Sequence, residues 1–294
     1  MNDFAIVTEG LGRKFGARWA VRHLDLKVPQ GAVVGLLGPN GSGKTTTINM
    51  LMGLLPPTEG KIQVLGMNPQ KDDVAIRRKT GYVPEIYGFY EWMKVDQLVA
   101  LVAAYHPDWN WTLCHSLKSE FKLDGDMAVK GLSKGTKAKL ALLLALSFEP
   151  PMLVLDEPTG GLDPAARRNF IETILGQYQD AGKTILVSSH LLNEFSGLLD
   201  HVAFVKEGRI EMASRLDELH RRTKRARLIF DEGIPSHINF PGAIAVKKNG
   251  REALVTCRDF DPEKTPGELK QSGASNIIIE EMTLEDIFVD LVGS

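Results

Sequence analysis

The run Gly38-Pro39-Asn40-Gly41-Ser42-Gly43-Lys44-Thr45 fits the pattern G-x-x-x-x-G-K-[ST], and Thr46 follows it directly. These residue types suit phosphate. Glycines let backbone N–H groups close around phosphate oxygens, a helix N-terminus adds a favourable dipole, and Lys44 places a point charge on the terminal phosphates. The hydroxyl of Thr45 is of the kind that ligates Mg²⁺. Further along, Asp156-Glu157 closes the apolar run Leu153-Val154-Leu155. A carboxylate there can hold Mg²⁺ through its water shell, and its neighbour can orient and deprotonate a water. Two acids at a strand end can also be merely solvated, but Lys44 and Thr45 in the same chain favour the metal and the water.

Such groups act together only if the backbone gathers them. Ala32-Val33-Val34-Gly35-Leu36-Leu37 predicts a strand buried on both faces. After the glycine-rich turn, Ile48, Leu51, Met52 and Leu55 recur at helical spacing, and Pro56-Pro57 is expected to stop that helix. Leu24, Leu26 and Val28 alternate with Asp25 and Lys27 as in a half-buried strand. Met152–Leu155 and Thr184–Val187 predict two more buried strands, so the pattern is a mostly parallel α/β sheet. From about Tyr87 to Glu149 the sequence reads as helix after helix, with Val95, Leu98, Val99, Leu101 and Val102 on one face. We expect a helical subdomain inserted there.

The character changes past Arg215. Arg221-Arg222-Thr223-Lys224-Arg225 is a basic run, Asn249-Gly250 is a hairpin signal between alternating segments, and Thr283-Leu284-Glu285-Asp286 opens an amphipathic stretch like a capping box. The expected division is residues 1–215 as the site-bearing domain and 216–294 as a small α+β appendage.

The composition, with 43% hydrophobic and 24% charged residues among 294, is that of a folded globular chain. Lys plus Arg number 35 against 37 Asp plus Glu, so no global positive field gathers it onto nucleic acid. Cys114 and Cys257 lie too far apart in sequence for a C-x-x-C site, which points to neither zinc nor a disulfide scaffold and to a reducing compartment. The start Met1-Asn2-Asp3-Phe4 lacks a signal peptide's basic and apolar regions, and the richest apolar run, Leu140–Phe148, is far short of a membrane span. Work at a membrane would need another chain to cross it.

Together these residues resemble the ATP-binding subunits of ABC transporters, over roughly Ile6 to Met212. Leu132-Ser133-Lys134-Gly135-Thr136 is similar to that family's LSGGQ signature, departing at Lys134 and Thr136. Gly160-Gly161-Leu162-Asp163 resembles its D-loop, and Ser188-Ser189-His190 its switch histidine. The resemblance implies a P-loop NTPase fold of the ABC type: a mixed sheet core with a helical subdomain. It implies ATP and Mg²⁺, with Gly38 to Thr46 on the phosphates, Thr45 and Asp156 at the metal, Glu157 as general base, and His190 contacting the γ-phosphate. Ser133, capping its helix, and Gly135 would meet an ATP held by a second copy of the chain, with Asp163 bridging the two. Phe15 is placed to stack on adenine, or else belongs to the core. Glu85, where the family commonly has Gln, can still approach the metal or its water but cannot donate a hydrogen bond when ionised.

The same resemblance implies a dimer driving a separate polytopic permease at the cytoplasmic face of a membrane, with no nucleic acid. In that family the groove near Glu85 to Trp92 receives a permease helix, and Tyr87, Phe89, Tyr90 and Trp92 suit either such an anchor or the core. Glu85, Tyr105-His106-Pro107-Asp108-Trp109, the lysine-bearing signature and Met282–Phe288 resemble ABC-2 type exporters, whose cargo would be a drug, peptide or lipid. The second reading is a non-transport ABC ATPase acting on nucleic acid or ribosomes. Its only basic cluster, Arg221 to Arg227, has little aromatic interleaving and reads as a solvated linker, or as a contact for anionic lipid. A small-molecule kinase would explain Lys44 and Asp156 and leave Ser133, Gly135, Asp163 and His190 idle.

Overall fold

The computed structural model describes residues 3–160, 162–178, 182–192, 194–235 and 242–292. In chain order the first elements are β1 (Phe4–Phe15), β2 (Arg18–Leu24), β3 (Lys27–Pro29), β4 (Val33–Leu37), α1 (Lys44–Leu51), β5 (Glu59–Val64), α2 (Asp73–Arg78) and β6 (Thr80–Val83). Three helices follow, α3 (Val95–Ala103), α4 (Trp111–Glu120) and α5 (Lys134–Leu146). Then come β7 (Met152–Asp156), α6 (Pro164–Tyr178), β8 (Thr184–Ser189), β9 (His201–Lys206) and β10 (Arg209–Arg215). The remainder is α7 (Leu216–Arg222), β11 (Lys224–Ile229), β12 (Ala243–Asn249), β13 (Glu252–Cys257), α8 (Thr265–Lys270), β14 (Asn276–Glu280) and α9 (Leu284–Val292).

Two compact units result, residues 1–190 with 203–213, and residues 191–202 with 214–294. In the first, six strands lie in the order β10-β9-β4-β8-β7-β6, and β4, β8, β7 and β6 pair in parallel. Every residue of β4, β7 and β8 is buried, as the apolar runs Val33–Leu37, Met152–Leu155 and Ile185–Val187 at their centres require. An antiparallel sheet, β2-β1-β3 with β5 also on β1, forms a second layer. Helix α1 touches β2, β5 and β7, and its Ile48 and Leu51 share one core with Ile6, Leu24, Val28, Val34 and Leu36. The lysine at its start is therefore positioned from two layers at once.

Three local expectations change. The alternation from Leu24 to Val28 is not one strand: the Thr8 hydroxyl donates to the Leu24 carbonyl at 2.9 Å and accepts from the Leu26 N–H at 2.8 Å, replacing ladder bonds where β2 gives way to β3. Helix α1 ends at Leu51, before Pro56-Pro57, because Gly53 turns the chain with φ 68°. The hairpin turn is Gly250-Arg251 rather than Asn249-Gly250, since Asn249 pairs with Glu252 and Gly250 takes the positive φ.

In the second unit the sheet order is β12-β13-β11-β14. Ala226, Leu228 and Phe230 with Ala253, Val255 and Cys257 form one apolar face, closed by Leu269 of α8. The basic run is not a linker. Arg222 ends α7 and bonds Glu218 and Asp259, Lys224 pairs with Glu281, Arg225 with Asp286 and Asp290, and Arg227 with Glu280. Thr283 caps α9, its hydroxyl accepting from the Asp286 N–H at 3.1 Å. Cys114 and Cys257 are free and buried. Among the described residues no helix is long and apolar enough to cross a membrane.

Candidate active site

The loop after β4 is held tightly. Gly43 has φ 107°, and a Cβ there would lie 2.6 Å from the Ala20 carbonyl oxygen; one on Gly38 would strike the Val205 carbonyl. Only glycine allows both approaches. Lys44, 5% exposed, donates to the carbonyls of Gly38 at 2.7 Å and Pro39 at 3.2 Å. Its ammonium also lies 3.1 Å from Oε1 of Glu157.

Beneath this loop, β7 and β8 pair so that Asp156 stands beside Ser188. Asp156 is fully buried, and its Oδ1 accepts from the Ser188 hydroxyl at 2.6 Å and the Thr45 hydroxyl at 3.2 Å. Its Oδ2 is buried with no hydrogen-bond partner. Burial pushes the Asp156 carboxyl up; the Ser188 and Thr45 bonds oppose this, and the charges of Glu85 and Glu157 add to it. Burial, with Asp156 and Glu85, likewise raises the Tyr82 phenol. An orphaned carboxylate oxygen beside a threonine hydroxyl, with two further carboxylates near enough to raise it, fits a divalent cation.

Glu157 follows in the left-handed region, φ 47°, and this aims its side chain back over the loop. Its Oε2 lies 2.7 Å from Nδ1 of His190, which donates if the carboxylate is ionised. One carboxylate is thus shared by the loop lysine and the histidine at the end of β8. Beside them opens a cavity of about 900 Å³ lined by Pro39 to Thr46, Glu85 and Glu157, with Trp19 and Arg209 also in its lining.

Residues 21–160 match the family model described as ABC transporter. The bacitracin transport ATP-binding protein BcrA of Bacillus licheniformis is 33% identical over 231 residues, spanning 75% of this chain and 72% of its own. The chain belongs to the ABC transporter family of ATP-binding proteins. The Nod factor export ATP-binding protein I of Rhizobium johnstonii is 29% identical across the whole of this chain and 96% of its own. A solved structure of an ATP-binding subunit of an ABC transporter superposes with a TM-score of 0.67 at 29% identity, over 74% of this chain and 92% of that one. This ABC ATPase therefore has the P-loop α/β fold expected of it, and its reaction is ATP hydrolysis. The nucleic-acid reading is not favoured: the relatives are transport proteins, and Arg222, Lys224, Arg225 and Arg227 of the basic run pair with carboxylates of their own unit.

The ABC ATPase links Lys44, Thr45, Glu85, Asp156, Glu157 and His190 through hydrogen bonds, ion pairs and charge; of these Asp156 and His190, like Gly38, lie behind the cavity lining, and four more expected residues stand apart from both. Ser133 caps α5, accepting from the Thr136 N–H at 3.1 Å, and Gly135 lies in that helix's first turn. Asp163 accepts from the N–H groups of Ala165 and Ala166 at the start of α6, and those bonds hold its carboxyl below the usual range. Phe15 is 49% exposed with the Arg13 guanidinium over its ring, so it is not a core residue. Gly161 lies outside the described residues. Tyr90 and Trp92 are exposed, while Tyr87 and Phe89 stack on each other half-buried. Sequence reasoning missed Trp19, Arg209 and Ser188. The only signal for Ser188 is a hydroxyl directly after the apolar run Ile185–Val187 of β8.

Proposed function

We propose that this ABC ATPase closes as a dimer around two Mg-ATP and uses their hydrolysis to drive a separate membrane permease from the cytoplasmic face, exporting a drug, peptide or lipid. The observation that carries the reading is the placement of Glu157, whose two oxygens face Lys44 and His190 beside a half-satisfied Asp156. When phosphate enters, Lys44 exchanges its loop carbonyls and Glu157 for phosphate oxygens, which frees Glu157 to accept a proton from water. His190 holds that carboxylate in line and meets the γ-phosphate. Thr45 and Asp156 would hold Mg²⁺, with Glu85 as a further carboxylate at the site, and the cation would supply charge neutralisation on the phosphates.

The dimer reading rests on what the site lacks. Ser133 and Gly135 stand outside the cavity at the start of α5, where the helix N-terminus suits the γ-phosphate bound by a second copy, and Asp163 at the start of α6 would bridge the two copies. The permease is read from the transport and export relatives together with the exposed Tyr90 and Trp92.

Glu157→Gln keeps the size and one acceptor oxygen but removes the base. We expect ATP binding to persist, turnover to fall at least about 100-fold, and an ATP-dependent dimer to accumulate on size exclusion. Hydrolysis at the wild-type rate would refute the assignment. Gentle solubilisation of membranes from the native host should co-purify a polytopic protein in stoichiometric amount; ribosomes or nucleic acid in its place would overturn the transporter reading.

A further inference from the structure

The geometry points to Ser188 as a positioning residue that sets the metal carboxylate and the general base together. Its hydroxyl has one proton to give and two lone pairs to offer. It gives the proton to Oδ1 of Asp156 at 2.6 Å and accepts from the N–H of Glu157 at 3.0 Å. That same N–H also reaches the Ser188 carbonyl at 3.2 Å. The side chain is fully buried in a strand whose other members are mostly aliphatic, so the hydroxyl is not there for solvent.

Each bond does something the reaction needs. With Oδ1 engaged by Ser188 and Thr45, the carboxylate of Asp156 cannot rotate freely, and Oδ2 is the oxygen left for a cation. Glu157 occupies a left-handed backbone conformation that a non-glycine residue leaves readily, and the bonds from its N–H to Ser188 hold it there. Loss of the hydroxyl would leave Asp156 Oδ1 with Thr45 alone and allow Glu157 to drift from His190. Partners of this kind around metal ligands are worth about 10- to 100-fold in metal affinity or activity when removed.

This inference rests on the roles proposed for Asp156 and Glu157, so Glu157→Gln serves as the control. Ser188→Ala and Ser188→Thr are compared with wild type for kcat, KM, and binding of a fluorescent ATP analogue titrated with Mg²⁺ and repeated in EDTA. For Ser188→Ala we expect kcat to fall about 10- to 100-fold, the Mg²⁺ needed for half-maximal analogue binding to rise about tenfold, and binding in EDTA to stay unchanged. Ser188→Thr, which keeps the hydroxyl, should recover most of both losses. Wild-type kcat and Mg²⁺ dependence in Ser188→Ala would sink the inference, as would a folded Ser188→Thr as impaired as Ala. If Ser188→Ala does not fold, a folded Ser188→Thr with wild-type kcat and Mg²⁺ dependence supports it, and one with either impaired refutes it. Unimpaired turnover in Glu157→Gln would instead overturn the reading beneath it.

Discussion

Gly43 shows how little freedom the phosphate loop has. Its φ of 107° and the Ala20 carbonyl 2.6 Å from where a Cβ would sit leave an alanine two poor choices, a strained backbone or a displaced β2. Gly43→Ala should cost about 2 kcal/mol in urea unfolding and abolish nucleotide binding; a variant that binds and unfolds as wild type would mean the loop yields. The loop itself is legible in sequence, because its motif states both the ligand and the turn. Asp156 and Glu157 are legible because they close the buried aliphatic run of β7 in a chain that also carries Lys44 and Thr45; His190, which follows Ser188-Ser189, is legible only through its resemblance to the family's switch histidine. Ser188 is not, since a serine before a histidine looks like ordinary loop punctuation until the register sets it beside Asp156. Trp19 and Arg209 are illegible for the same cause, their place on the cavity being decided by folding of distant segments.

At the scale of elements, period and turn chemistry carry the uniform strands and fail on the irregular ones. β4, β7 and β8 declare themselves, whereas β1, the longest strand, slips register against β2, β3 and β5, and those bulges erase its alternation. The basic run misleads because charge alone does not say whether a partner waits across the sheet. One does: Asp290 of α9, 2% exposed at its side chain, lies 2.9 Å from Arg225 and 2.6 Å from Lys247 and accepts from the Thr256 hydroxyl at 2.6 Å. Burial alone would raise its carboxyl, but the bonds from Lys247, Thr256 and Arg225 outweigh that and hold it below the usual range. Asp290→Asn leaves Arg225 with Asp286 only, and should destabilise this unit by about 3 kcal/mol near neutral pH. A carboxyl depressed in the folded state stabilises above its unfolded pKa of about 3.9 and loses that contribution as pH falls through its folded value. The gap between variant and wild type should therefore close in acid; a gap constant down to about pH 2 would show that charge is not its source.

For the whole molecule, each unit has its own hydrophobic core, one around α1 and the other between β11, β13 and α8. Only the first contains the cavity. Mg-ATP at 100 times its Kd adds about 2.7 kcal/mol to whatever binds it, so calorimetry of Glu157→Gln should show the nucleotide raising one melting transition and leaving the other in place. Equal upward shifts of both would mean the two cores melt as one. The units are not consecutive in the chain, which leaves the first after His190, re-enters it at Ala203 and leaves again after Ala213. Synthesis on the ribosome runs one way. The six-stranded sheet cannot gain β9 and β10 until residues past 200 have emerged, and Leu191–Val202 cannot join the rest of its unit until residues 214 onward have been made. The segment directly after His190 is therefore completed late, and a nascent chain stalled just past β10 would carry a finished phosphate loop with an unfinished tether on its histidine.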